Sequence, residues 1–124
     1  MKVTNLLFWC QDNTLSEKFY KKLGFERVEG DDQYTRLRLG GFEVVLITMR
    51  DEDEFAKDSL NPEKGRGMYV YLQVEDVDAE YTRQLKIGLK PSTEPQNWPW
   101  GNREFILKDP DGYKLVFWQK VGNS

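Results

Sequence analysis

The feature that most constrains the fold of this chain is an internal repeat. Across an offset of 64 positions, an apolar strand, an acidic residue, an amphipathic helix and a terminal glycine recur in the same order. The aligned pairs are Asn5 and Tyr69, Phe8 and Leu72, Asp12 and Asp76, Leu23 and Ile87, Gly24 and Gly88, and Phe25 and Leu89. Repetition of one supersecondary unit predicts a fold that is made of two copies of that unit.

Each copy has the pattern of one strand, one helix and three further strands. In the first copy we predict strands at residues 4–10, 25–28, 34–39 and 42–48. In the second copy we predict strands at residues 68–74, 89–92, 103–108 and 113–119. The pair Gly40-Gly41 is a hairpin signal, and it aligns with Asp111-Gly112 at an offset of 71. The second copy therefore carries a seven-residue insertion, which lies in the segment Pro95 to Gly101.

The two helices are predicted from their caps, apolar stripes and final glycines. Asn13 or Thr14 can cap the first helix and Asp76 or Asp78 the second, because short polar side chains accept hydrogen bonds from first-turn amides. The apolar stripe of the first helix consists of Leu15, Phe19, Tyr20 and Leu23. Each helix is expected to end at a glycine, where the left-handed backbone conformation costs least.

The length of 124 residues fits one domain. We predict an α+β domain over residues 1–124, with module one at about 1–50, a linker at about 51–66 and module two at about 67–120. The linker is polar and is expected to contain a short helix near residues 54–60.

The histidine and cysteine content of the chain excludes whole classes of catalytic site. The chain has no histidine and one cysteine, so it cannot form a Ser-His-Asp or Cys-His pair or a zinc site of the usual ligands. The cysteine, Cys10, lies in an apolar run and is expected to be buried. The net charge of −3 gives no sign of a nucleic-acid surface. Without a long apolar run or a signal-peptide pattern at the N-terminus, we expect a cytoplasmic protein without a membrane partner.

Strand alternation predicts which side chains face away from the helices. Side chains along a strand point alternately to the two faces of a sheet. The residues of the first strand of each module expected on the face opposite the helices are Asn5, Leu7, Trp9, Tyr69, Tyr71 and Gln73. The last strand adds Lys114, Val116 and Trp118 to that face. Such an aromatic surface with a few amide and hydroxyl groups suits an organic ligand that is bound by stacking and shape.

Several of these side chains have two open interpretations. Trp98 and Trp100, in the insertion, either pack over a sheet edge or a dimer contact, or they form a ligand-stacking wall. Arg103 either makes a structural ion pair or anchors an anionic or carbonyl group of a ligand. Arg36 and Arg38 alternate with leucines and can lie on the sheet face opposite the helices, which argues for an anionic ligand. The acidic balance of the chain argues instead for a cationic ligand.

Three segments together resemble the vicinal oxygen chelate superfamily, also called the glyoxalase/bleomycin-resistance/dioxygenase fold, and in particular its bleomycin-resistance branch. They are Phe19-Tyr20 with Leu23-Gly24-Phe25, Val74 to Asp78, and Trp98 to Phe105 with Lys108 to Gly112. The resemblance covers nearly the whole chain. It implies two βαβββ modules whose strands form a curved, half-open mixed sheet around a ligand cavity, with the helices outside. It also implies a homodimer.

The same resemblance gives an expectation about metal. In metal-dependent members, two histidines and two glutamates line the cavity, and the matching positions here are Asn5, Val45, Tyr69 and Val116. Valine has no donor atom, and one asparagine is a poor substitute for a charged ligand. We therefore expect no metal and no cofactor, although Glu43 lies two residues from Val45.

The sequence thus leads to three hypotheses about function. The first is a metal-independent binding protein that sequesters an aromatic or drug-like compound, as in antibiotic resistance, with no catalytic residue. Its candidate ligand-binding residues are Asn5, Trp9, Arg38, Tyr69, Tyr71, Trp98, Trp100, Arg103 and Trp118. The second is a metal-independent lyase, isomerase or hydrolase with Glu43 or Glu104 as base. The third is a regulatory or interaction module with an empty cavity.

Overall fold

The residues that the computed structural model describes are 1–49 and 54–121. They belong to two units, residues 1–64 and 65–124. The elements of the first unit are β1 (Leu6–Trp9), α1 (Asn13–Lys22), β2 (Glu26–Gly30), β3 (Tyr34–Leu39), β4 (Phe42–Ile47) and α2 (Glu54–Leu60). Those of the second are β5 (Tyr69–Gln73), α3 (Val77–Lys86), β6 (Gln96–Asn97), β7 (Asn102–Lys108) and β8 (Lys114–Lys120). The predicted α+β class is confirmed, and α2 coincides with the predicted linker helix; residues 50–53 of the polar segment lie outside the described residues.

Both units have the same sheet topology. The first sheet has the strand order β1-β4-β3-β2 and the second the order β5-β8-β7-β6. In each sheet the first strand pairs in parallel with the last, and the other pairs are antiparallel. Strand β2 is an edge strand with a register irregularity between Arg27 and Glu29. The identical order is the structural counterpart of the repeat in the sequence.

One helix packs on each sheet and buries an aromatic core. Helix α1 contacts β2, β3 and β4, and its Tyr20 meets the ring of Phe25 edge-on at 5.2 Å between centroids. Helix α3 contacts β7 and β8, where Phe105 stacks on Phe117 at 5.1 Å. Cys10 is buried, as the sequence predicts. None of the helices in the described residues is long and apolar enough to span a membrane.

The repeat extends to the helix ends. Asp12 caps α1 by accepting hydrogen bonds from the amides of Thr14 and Leu15, and Asp76 caps α3 by accepting one from Ala79. Gly24 and Gly88 follow the two helices with φ of +108° and +87°, where a side chain would be strained.

The predicted cap of α1 is wrong. Asn13 is fully buried in the first turn of α1 and Thr14 is exposed in it, so neither is the capping residue. The predicted apolar stripe of α1 is wrong at Leu15, which is 53% exposed. The buried positions of this helix include the polar residues Asn13 and Ser16 together with Tyr20. Polar contacts rather than apolar periodicity orient the first turn of this helix.

Asp12→Ala is expected to lower the free energy of unfolding by about 1 kcal/mol, because two first-turn amides lose their acceptor. Thr14→Ala is the matched control, and it should change the stability by less than about 0.5 kcal/mol. Urea unfolding of both variants measures the difference. Equal losses would contradict the assignment of Asp12 as the cap.

The predicted strand at Leu89–Ser92 is also wrong. Its place in the sheet is taken by the two-residue strand β6, which pairs with Glu104 and Arg103 of β7. The segment before β6 carries Pro91 and Pro95, which have no amide hydrogen to donate to a ladder. Two individual hydrogen bonds join this segment to β7 in place of a strand ladder. The amide of Ser92 donates to the carbonyl of Ile106 at 2.7 Å, and the hydroxyl of Thr93 accepts from the amide of Ile106 at 2.9 Å.

Candidate functional site

The sheet of the second unit carries a pocket on the face opposite α3. On β7, Phe105 lies on the helix side, where its ring meets Tyr81 of α3 at 5.3 Å. Its neighbours Glu104 and Ile106 therefore point to the other face. The register places Ile106 and Tyr71 on either side of Val116 of β8. The pocket has a volume of about 230 Å³ and is lined by Tyr69, Tyr71, Thr93, Trp98, Trp100, Glu104, Ile106 and Val116.

The β6–β7 hairpin supplies one wall of the pocket. The amide of Trp98 donates to the carbonyl of Asn102 at 2.8 Å, and the amide of Gly101 donates to the carbonyl of Trp98 at 3.1 Å. Gly101 has a φ of +91°, so the tight turn depends on a residue without a side chain. The turn holds Trp98 and Trp100 in parallel contact, with 5.0 Å between ring centroids and 5° between planes. The indoles remain 37% and 60% exposed and are available to a ligand.

Glu104 is the acidic residue of this pocket, and it is only 5% exposed. Its Oε2 accepts a hydrogen bond from the indole Nε1 of Trp100 at 3.1 Å and a second from Nδ2 of Asn102 at 3.1 Å. The first of these bonds fixes the orientation of Trp100. The carboxylate is thus part of the hairpin as well as of the pocket wall.

Tyr69 and Tyr71 form the opposite wall and differ in their surroundings. Burial raises the pKa of the Tyr71 phenol, and the nearby Glu104 and Tyr69 raise it further. Tyr71 therefore stays protonated at neutral pH and can donate a hydrogen bond. The ammonium of Lys114 lies 4.6 Å from the centroid of the Tyr69 ring, a cation–π contact.

Arg103 lies on the other face of the sheet from the pocket. Its guanidinium donates two hydrogen bonds to the carboxylate of Asp78 on α3, at 3.1 and 3.0 Å, and one to Asn97 at 3.1 Å. Of the two interpretations drawn from the sequence, the structure places Arg103 in the ion pair. Strand alternation is the physical reason, because Arg103 shares the face of Phe105 and not that of Glu104.

Arg103→Ala is expected to leave ligand affinity within about twofold and to cost less than about 1 kcal/mol of stability, because exposed ion pairs contribute little. The hydrogen bonds from Arg103 hold the pKa of Asp78 below its ordinary value. The contribution of the pair is therefore present above pH about 4 and is lost as the pH falls through the lowered pKa. Calorimetric titration and urea unfolding at pH 7 and pH 3 measure the two effects. A tenfold loss of ligand affinity would contradict this placement.

Two of the candidate ligand-binding residues, Trp9 and Arg38, lie in strands of the first unit. Arg38 donates two hydrogen bonds to Glu43, at 3.1 and 2.9 Å, and Arg36 pairs with Glu29. These arginines are therefore matched by carboxylates, which weakens the argument for an anionic ligand at that surface. Trp9 is half-buried and pairs with Ile47 in the sheet.

The remaining candidates outside the pocket lining are Asn5 and Trp118. Asn5 is exposed just before β1, and its Oδ1 accepts from the hydroxyl of Thr4 at 2.8 Å. Trp118 is half-buried on β8, on the same face as Val116 and in register with Glu104 and Gln73. Of the candidates named from the sequence, the pocket brings together Tyr69, Tyr71, Trp98 and Trp100.

The candidate ligand-binding residues did not include four that line the pocket, Thr93, Glu104, Ile106 and Val116. Alternation had placed Val116 on this face, and Glu104 was named only as a possible base. For Glu104 and Ile106 the sequence did contain a usable signal. The aromatic residue between them, Phe105, is the natural core residue of the strand, so its two neighbours must face away from the helix. Thr93 gave no such signal, because its position depends on the irregular segment before β6.

Two of the four positions that the resemblance matches to metal ligands carry side chains that do not fit a divalent metal ion. Val45 and Val116 are 8% and 1% exposed, and their alkyl side chains offer no donor atom. Within residues 1–49 and 54–121, no three His, Cys, Asp or Glu side chains are grouped so that they could hold a metal ion.

Comparison with known proteins gives a family and several relatives. The model of the glyoxalase/bleomycin resistance protein/dioxygenase superfamily matches residues 3–117. An uncharacterized protein of Mycobacterium bovis is 30% identical over 109 residues, which cover 84% of this chain and 71% of that protein. The same stretch covers 64% of two Mycobacterium tuberculosis proteins, so the chain spans about two thirds of these relatives.

One further relative and one solved structure have descriptions that name what those proteins bind or resist. A bleomycin resistance protein of Geobacillus stearothermophilus is 26% identical over 108 residues, covering 81% of this chain and 82% of that one. The structure of TnmS3, an antibiotic-binding protein from a Streptomyces species, superposes with a TM-score of 0.75 at 23% identity and covers 98% of this chain and 97% of that one. The structural likeness shows a shared fold. With the family model matched over residues 3–117, the chain belongs to the glyoxalase/bleomycin resistance protein/dioxygenase superfamily.

Proposed function

We propose that this protein binds a flat aromatic organic molecule in the pocket of its second unit and sequesters it unchanged, without a metal ion. The observation that carries the proposal is the stacked pair Trp98 and Trp100, which faces the same pocket as Tyr69 and Tyr71. Exposed aromatic rings around a pocket bind a planar ligand by stacking and by removal of apolar surface from water.

The size of the pocket limits what it can hold. Its volume of about 230 Å³ lies below the roughly 300–1,000 Å³ of typical small-molecule sites. It therefore fits a fused-ring fragment of a ligand rather than a whole drug-sized molecule. Relatives that are described as bleomycin resistance and antibiotic-binding proteins support an antibiotic as the compound, with drug resistance as the role.

The second candidate function is a metal-independent lyase, isomerase or hydrolase. The buried carboxylate of Glu104 in the pocket is the observation that favours it, because a desolvated carboxylate can act as a general base. Against it, Oε2 of Glu104 already accepts two hydrogen bonds that hold the hairpin. Sequestration requires no such group and explains the indole pair directly.

Tryptophan fluorescence titration separates the two functions. The protein is titrated with bleomycin and with a panel of planar aromatic compounds, and each compound is recovered and analysed by chromatography. Saturable quenching with an unchanged compound supports sequestration, whereas time-dependent product supports the enzyme. If no compound changes the fluorescence, both functions fail. Elemental analysis of the purified protein accompanies the titration, and a stoichiometric divalent ion would overturn the metal-free part of the proposal.

The proposal also includes a cytoplasmic homodimer, as expected from the sequence and its resemblance to the superfamily. Multi-angle light scattering across a concentration series tests the assembly. A mass that stays at the 14.7 kDa of one chain would contradict the dimer.

A further inference from the structure

Neutral hydrogen-bond donors hold the buried carboxylate of Glu104. Its hydrogen bonds come from the neutral N–H groups of Trp100 and Asn102. In the described part of the second unit, no Lys or Arg forms a salt bridge with it. Arg103, its neighbour in sequence, is bonded to Asp78 on the other face.

Strand alternation places Lys108, Lys114 and Lys120 on the same face as Glu104, and none of these three lysines is among the residues that line the pocket. Lys114 sits over the ring of Tyr69, and in the register of β8 it is opposite Lys108 and Tyr69. Glu104 is opposite Trp118, four residues further along β8. At about 3.3 Å per residue, this separation along the strand is about 13 Å. Lys120, opposite Asn102, lies nearer to Glu104, but the described residues show no salt bridge between the two. Glu104 is therefore the charged residue of the pocket lining, while Lys108 and Lys114 lie toward the Tyr69 end.

A negative, largely dehydrated group beside aromatic faces is an environment that favours an organic cation. A buried carboxylate is costly unless a positive charge or strong donors compensate it. The faces of Trp and Tyr attract cations through the ring quadrupole. The pocket already shows this interaction, because the ammonium of Lys114 lies against the ring of Tyr69.

We propose that the ligand of this pocket carries a positively charged group next to its aromatic ring, and that Glu104 is its counter-ion with Trp100 as the aromatic contact. The inference rests on the proposed binding function and names the ligand class. An arylalkylamine, whose amino group sits on an alkyl carbon next to the ring and is protonated at neutral pH, has the required chemistry. A carboxylate on the same ring would meet the charge of Glu104 and be rejected.

Three probes with the same ring test the charge preference by isothermal titration calorimetry. They are 2-naphthylmethylammonium, the neutral alcohol 2-naphthylmethanol and the anion 2-naphthoate. The ammonium is expected to bind roughly tenfold or more tightly than the alcohol, and the anion most weakly. The preference of the ammonium should decrease as the salt concentration rises.

Glu104→Gln removes the charge and keeps an oxygen acceptor for Trp100 and Asn102. In this variant the ammonium should lose roughly tenfold in affinity and the alcohol less than about twofold. Glu75→Gln, at an exposed carboxylate of the same unit, removes the same formal charge and should leave all three affinities unchanged. Thermal unfolding midpoints of both variants report on folding.

The outcomes distinguish this inference from the proposed function. If the alcohol binds the native protein as tightly as the ammonium, or if Glu104→Gln weakens both equally, the cation preference is overturned while binding stands. If none of the three probes binds but the aromatic panel quenches fluorescence, the inference alone fails. If the panel also gives no response, the proposed function fails with it.

Discussion

Trp100→Ala is expected to weaken binding of an aromatic ligand by roughly 1–3 kcal/mol, which is about a fivefold to 150-fold loss of affinity. The substitution removes the more exposed of the two stacked indoles, at 60% exposure, and leaves Trp98 without its ring partner. It also removes one of the two donors that compensate the carboxylate of Glu104. Both consequences act on the same pocket wall, so the effect should exceed that of any single polar contact.

Calorimetric titration with the tightest compound of the fluorescence panel measures this loss. Trp100→Phe keeps an aromatic ring but not the indole N–H, so it separates stacking from the hydrogen bond to Glu104. Arg103→Ala is the control, because Arg103 lies on β7 of the same hairpin and its guanidinium is bonded to Asp78 on the face away from the pocket. An affinity of Trp100→Ala within twofold of the native value would assign this side chain to packing of the hairpin.

Phe105→Ala should have the largest effect on stability, with a loss of about 3–5 kcal/mol in the free energy of unfolding. Phe105 is fully buried, and its ring contacts Phe117 at 5.1 Å and Tyr81 at 5.3 Å. Truncation removes the transfer free energy of the ring and leaves a cavity between α3 and the sheet. Equilibrium urea unfolding, followed by circular dichroism, gives the value.

Phe105→Leu is the control for size, since it fills most of the same volume and should cost about half as much or less. If Phe105→Ala lowers the stability by less than about 1 kcal/mol, the ring is not the centre of this core. The result also bears on the pocket, because Phe105 fixes the face on which Glu104 and Ile106 lie. A variant that folds but binds no ligand would show that the core orients the site.

The sequence predicted the topology well because the repeat constrains it twice. Each module alone shows strands and a helix, and the aligned Asp12 and Asp76 predict equivalent helix starts. Gly24 and Gly88 likewise indicate equivalent helix ends, and both have a positive φ in the structure. Strand β3 has the predicted bounds, because its alternation of leucine with polar residues is regular and the following Gly40 favours a turn.

The predictions that are wrong depend on contacts that sequence periodicity does not show. The strand predicted at Leu89–Ser92 follows the repeat, but Pro91 within this segment and Pro95 after it have no amide hydrogen to donate, and β6 joins the sheet instead. The cap of α1 is Asp12, one residue before the predicted cap Asn13. Asn13 is instead buried in the first turn of the helix. Helix periodicity alone also placed Leu15 in the core, where the structure has Ser16.

The candidate site was predicted in part, and the reason lies in strand faces. Tyr69 and Tyr71 were assigned from the alternation of β5, and they lie with the two hairpin indoles around one pocket. Arg103 was considered for its charge rather than its face. The role of Glu104 in holding Trp100 depends on a contact made across a tight turn, which no spacing rule reveals.

Strand β2 has a consequence for how the protein behaves at high concentration. It is the outer strand of its sheet, and outer strands offer free backbone groups on which other chains can add and aggregate. Here Glu26, Arg27 and Glu29 place alternating charges along that border, and the irregularity between Arg27 and Glu29 breaks the straight row of amides. These two properties disfavour fibrous self-association through β2, and a variant that neutralised the three charges would lose much of that protection.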